Sequence, residues 1–97
     1  MVAMDYETFR ASLEGDAPPT SASGPLQALW HEARGDWDTA HQCAQDAKSP
    51  EGAWVHAYLH RVEGDLSNAG YWYRRAGKPR HEGQLADEWG ELVRALL

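Results

Sequence analysis

The chain has 97 residues, of which 42 % are hydrophobic and 25 % charged, and five are Trp. That is the composition of one small globular domain with a modest core, and it excludes a disordered chain. The net charge of −6 excludes binding of nucleic acid or anionic membrane over the whole surface.

Cys43 is the one cysteine, so an internal disulfide is impossible and a reducing cytoplasm fits. No apolar run approaches the ~20 residues of a membrane-crossing helix. The opening MVAMDYETFR is acidic and poor in apolar residues, unlike a signal peptide. These features predict a cytoplasmic protein with no membrane partner.

β-branched residues are scarce and period-2 alternation is absent, so no strand is expected and the fold class reads as all-α. Asp5 caps a first helix over 5–14, with Tyr6, Phe9 and Leu13 on one face and Gly15 as its stop. The Pro/Ser/Gly-rich stretch 16–24 is a linker. Pro25 suits the first turn of a second helix, which Gly35 ends. Asp36 caps a third, reaching about Ala47. Ser49–Pro50 starts a fourth, stopped at Gly64, and Asp65 caps a fifth that ends at Gly77. Pro79 opens a sixth over 79–96, with Leu85, Trp89, Leu92 and Leu96 recurring every three or four residues.

The chain also matches itself at an offset of 29 residues. Ala28 falls on Ala57, His31 on His60, Gly35 on Gly64 and Asp36 on Asp65. Ala40 falls on Ala69, Ala47 on Ala76 and Pro50 on Pro79. Gly–Asp is the turn of a helical hairpin, and the alanines mark close helix approach. Two units, 25–49 and 50–78, thus lie between an N-terminal helix and a capping helix. Gly70, mid-helix and unfavourable there by roughly 1 kcal/mol, predicts a close helix crossing.

The pattern Ala28, Gly35, Ala40, Ala44, Ala47, then Ala57, Gly64, Ala69, Tyr73, Ala76, resembles tetratricopeptide and Sel1-like helical repeats. It covers about Pro25 to Pro79, with a period shorter than the usual ~34. The stretch LHRVEGDLSNAGYWYRRAG also resembles a family of small bacterial proteins without an assigned activity. The repeat resemblance implies an array of α-hairpins with a partner-binding groove along the first helix of each unit. Trp54, Tyr58 and Arg61 share a helix face and are candidates for that groove.

Arg74, Arg75, Lys78 and Arg80 form the one basic cluster, with no acid between Leu66 and His81. With Tyr71 beside it, this cluster suggests a patch for an acidic partner. The same cations also suit a helix C-terminus without any partner. Single-stranded nucleic acid, which stacks on aromatics beside cations, is the weaker reading.

His56, His60 and Glu63 stand at i, i+4 and i+7 on one face, a donor set for zinc or iron. Protease chemistry is excluded, because Ala57 stands where a Glu would follow the first His. In the first unit, Gln27, His31 and Arg34 occupy these positions, so only His60 is shared and a packing role fits it. His41 and Cys43, two apart, point about 200° away from each other and cannot chelate one ion. His81 could supply a distant ligand. Cys43 lies mid-helix without an activating neighbour, and no glycine loop cradles phosphate.

Together these readings predict a non-catalytic interaction module with no cofactor. A peptide or acidic protein, or a second copy of the chain, would sit on Trp54, Tyr58, Arg61, Tyr71, Arg74 and Arg75. The alternative is a helical metal or small-molecule binder using His56, His60 and Glu63.

Overall fold

The computed structural model describes residues 4–97; residues 1–3, which open the stretch read as unlike a signal peptide, lie outside them. The described chain is all-helical: α1 (Tyr6–Ala11), α2 (Gly24–Ala33), α3 (Trp37–Asp46), α4 (Pro50–Val62), α5 (Leu66–Ala76) and α6 (Leu85–Leu96). A 3₁₀ turn, Ser12–Glu14, extends α1. No described helix is long and apolar enough to cross a membrane.

The caps follow the sequence. The side chains of Asp5, Ser23, Asp36, Ser49 and Asp65 each accept a backbone N–H from the first turn of α1 to α5 in order. This satisfies donors that a helix start leaves free. Gly35 and Gly64 take φ of 82° and 85°, the left-handed geometry that ends α2 and α4. The N–H of Asp36 then reaches the carbonyl of His31, and that of Asp65 reaches His60, both at 2.9 Å. The two Gly–Asp turns are therefore built alike.

The helix α4 is central and packs against α2, α3, α5 and α6. Its Val55, Tyr58 and Leu59 join Phe9, Leu26, Leu29, Trp30, Trp89, Leu92 and Val93 in the main core. A smaller cluster of Ala57, Ala69 and Tyr73 sits between α4 and α5. Indole N–H groups pin the elements: Trp37 donates to the Leu59 carbonyl at 2.8 Å and Trp89 to that of Leu29 at 3.0 Å. Both rings bury apolar area while their polar edge finds a partner.

Two expectations are corrected. The last helix begins at Leu85, not at Pro79. Side chains hold the preceding segment instead: Arg61 Nη2 donates to the Gly83 carbonyl (2.6 Å), and His81 Nδ1 accepts the Gly83 N–H (3.0 Å). Nor does Gly70 mark a helix crossing. A Cβ there would meet the Arg80 guanidinium, 2.1 Å from Nη2, so a side chain covers the glycine.

Candidate metal centre

The i, i+4 spacing places His56 and His60 on one face of α4, as expected, with rings stacked at 4.9 Å between centroids. The third member of the cluster is not Glu63 but His41 of α3. Its ring stands edge-on to His56 (4.6 Å, 89°) and to His60 (5.5 Å, 71°). One ligating nitrogen from each of the three lies within 4.8 Å of the other two. Indole faces flank the cluster: Trp37 stacks on His41 at 4.8 Å, and Trp72 of α5 stacks on His56 at 3.8 Å. Flat apolar walls cover the ring faces and leave the ring edges as the polar surface.

Glu63 plays a different part. Its Oε1 lies 2.6 Å from Nδ1 of His60, which leaves Nε2 of that ring for another partner. A carboxylate on the far nitrogen fixes the tautomer and raises the basicity of a ligating imidazole. Asp65 also lies within reach of His60 and Glu63, though as the cap of α5 it accepts the Asn68 N–H.

The electrostatics favour neutral rings. Burial first, then the neighbouring His41 and His60, lowers His56 to about 4. His41 is also lowered, by burial and then by His60, against the opposing pull of Glu63 and Asp38. A neutral imidazole with a free nitrogen is the form that binds a metal. His56 is only 4 % exposed, and neither it nor His41 has a hydrogen-bond partner among the described residues. Yet no buried side-chain nitrogen in the described residues lacks a partner, so these nitrogens border accessible space.

The expected groove residues are not brought together on one surface. Tyr58 is 2 % exposed, and its hydroxyl donates to Glu32 (3.1 Å) inside the fold. Arg61 is drawn inward by Glu88, with Nη1 2.6 Å from Oε1. Trp54 is half-buried under Lys78, whose Nζ sits 4.4 Å from the ring centroid. Tyr71, Arg74 and Arg75 remain exposed on α5. Both nitrogens of His81 are engaged, Nε2 with Glu91 and Nδ1 with the Gly83 N–H, so it is no distant ligand. Burial, then Asp46 and Asp36, raises the Cys43 thiol above its ordinary value, which suits an inert cysteine.

The equivalence of His31 and His60 does not extend to their surroundings. His31 meets Trp30 edge-on at 5.1 Å and joins no imidazole cluster among the described residues. Comparison with protein-family models, with curated proteins and with solved structures gives no match.

Proposed function

We propose that this protein binds a divalent transition ion, of the zinc type, through His41, His56 and His60. The single observation that carries the reading is the convergence of three imidazoles from two helices, with one ring nitrogen of each within 4.8 Å of the other two. Three nitrogen ligands suit Zn²⁺ and leave a fourth position open to water or another ligand. Tetrahedral geometry with Zn–N of about 2.0–2.1 Å sets the nitrogens about 3.3 Å apart. The broad χ2 wells of imidazole rings let the nitrogens, within 4.8 Å of one another, turn towards a shared ion. Glu63 then acts on the metal through His60. The scaffold reading consistent with this is a pair of tetratricopeptide-like hairpins, α2–α3 and α4–α5. The matching Gly35–Asp36 and Gly64–Asp65 turns support it.

Chelator-treated protein should take up one equivalent of Zn²⁺ or Co²⁺. At a free metal concentration 100-fold above Kd, stability rises by about 2.7 kcal/mol, which raises the melting midpoint by about 10 °C or more for a chain of this size. His41→Ala or His56→Ala abolishes the rise, whereas Glu63→Gln weakens affinity about 10- to 100-fold without abolishing it. A flat melting response to Zn²⁺, Fe²⁺, Ni²⁺ and Cu²⁺ refutes the reading, as does a rise that survives His41→Ala.

A second reading, the interaction module for an acidic partner, keeps a smaller surface. The exposed row of Tyr71, Arg74 and Arg75 on α5 favours it, with Leu66 57 % exposed on the same helix. An Arg74→Glu/Arg75→Glu variant should lose the bound proteins in an affinity pull-down. Capture of the same proteins by both chains counts against this surface.

A further inference from the structure

Beyond the metal reading, a cavity of about 400 Å³ opens where the end of α3, the start of α4 and the last turn of α5 meet. Lys48, Arg75, His56 and Trp72 line it, with apolar walls from alanines and Pro50. Its volume lies in the range of small-molecule sites.

The charge balance of this cavity is opposite to that of the chain. The protein carries 15 acidic side chains against nine Lys and Arg. None of the acids lines the cavity, and two cations do. Neither Lys48 nor Arg75 has an ion-pair partner among the described residues; the pairs formed there are His60–Glu63, Arg61–Glu88 and His81–Glu91. Arg75 is nevertheless held in place. Its guanidinium lies 5.2 Å from the Trp72 ring centroid, and Nη1 donates to the Tyr71 hydroxyl at 2.9 Å. An arginine fixed by stacking, with donors still free, is prepared for two-point binding of a carboxylate or phosphate. The buried His56, whose nitrogens border accessible space, adds a polar edge next to these cations.

We infer that this cavity binds a small organic oxyanion, a carboxylate or phosphate monoester with a compact apolar body. The oxygens pair with Arg75 and Lys48, and the body rests on the alanine and Pro50 walls. Trp72 is not available as a stacking platform, because His56 lies parallel on it at 3.8 Å and Arg75 also sits over its ring. Trp72 therefore positions Arg75 and His56 rather than the ligand. The site needs no metal and stands whether or not the histidine cluster holds one.

The test uses metal-free full chain, ¹⁵N-labelled, titrated with benzoate, phenyl phosphate, inorganic phosphate and benzamide. Benzoate or phenyl phosphate should give saturable shifts confined to Ala44–Ser49, Ala53, His56 and the Trp72–Arg75 turn. The neutral benzamide should give none, and inorganic phosphate should bind at least fivefold more weakly than phenyl phosphate. Lys48→Gln/Arg75→Gln should raise Kd at least tenfold, with an otherwise unchanged spectrum showing that the variant is folded. Absence of saturable shifts overturns the proposal, as do equal shifts from benzamide or an unchanged Kd in the double variant. Equal affinity for inorganic and phenyl phosphate removes the apolar body from the ligand and overturns the organic assignment. Because no metal is present, none of these outcomes bears on the zinc reading, and failure of metal uptake leaves them unaffected.

Discussion

Replacing Arg61 with alanine is expected to cost about 3–5 kcal/mol of stability, the usual consequence of stranding a buried charge. Glu88 of α6 is 2 % exposed. One carboxylate oxygen accepts from Arg61 Nη1 and the other from the Tyr73 hydroxyl. Arg61 also donates to the Gly83 carbonyl, so one side chain ties α4 to α6 and to the segment before it. Without it, the buried Glu88 carboxylate keeps only the Tyr73 hydroxyl of these two donors. Urea unfolding of Arg61→Ala should show the loss directly. An Arg61→Met/Glu88→Met double variant should recover part of it, since an apolar pair of similar volume strands no charge, while the buried Tyr73 hydroxyl loses its acceptor. The exposed Arg74→Glu change, which loses only a favourable charge at the end of α5, should stay within about 1 kcal/mol of the parent. A loss under about 1 kcal/mol for Arg61→Ala would show that the pair does not hold α6 in place.

Acid should destabilise the metal-free protein through the histidine cluster. The His56 imidazole ordinarily titrates near 6.5, and in the fold it is lowered to about 4. Between those values the unfolded chain holds the proton and the native chain does not. Stability rises with pH wherever the unfolded state binds more protons. The contribution is therefore neutral above about pH 6.5 and becomes a growing penalty as pH falls towards 4. The groups around His56 are His41, His60 and Trp72, with Lys48 and Arg75 lining the same cavity; His41 is shifted in the same direction, with Glu63 and Asp38 opposing on that ring. Because the nitrogens border solvent, the loss by pH 4.5 is discounted to about 2 kcal/mol. Urea unfolding in chelator at pH 7 and pH 4.5 measures it. His56→Gln should flatten the difference by most of that amount, and equal pH dependence in both proteins would contradict the assignment.

Much of the fold was legible because its signals are local. A cap residue and a left-handed glycine act within one turn of their own position. Asp5, Ser49, Asp65, Gly35, Gly64 and Gly77 therefore marked helix ends without reference to the rest of the chain. The start of α6 at Leu85 is not legible, for the converse reason. Pro79 fits a helix start, but residues from α4 and α6 hold 78–84 in an irregular path, and no local pattern encodes those bonds. The covering of Gly70 is equally non-local, since Arg80 reaches it from ten residues away.

The site divides along the same line. Spacing alone determined that His56 and His60 share a face, because four residues is about one helical turn. His41 was out of reach of that argument. It sits on another helix, and its only neighbouring donor in the sequence, Cys43, points about 200° away from it. Helix packing alone brings it within 4.6 Å of His56 and turns Glu63 from a ligand into the partner of His60. Packing likewise decided that Tyr58 and Arg61 serve the interior, since burial depends on what covers a helix face. By itself the sequence determined the helices, their ends except the start of α6, and which side chains each helix carries together. Which of those side chains meet across helices was decided by the tertiary structure, because contact between distant residues depends on how the helices pack and not on their spacing along the chain.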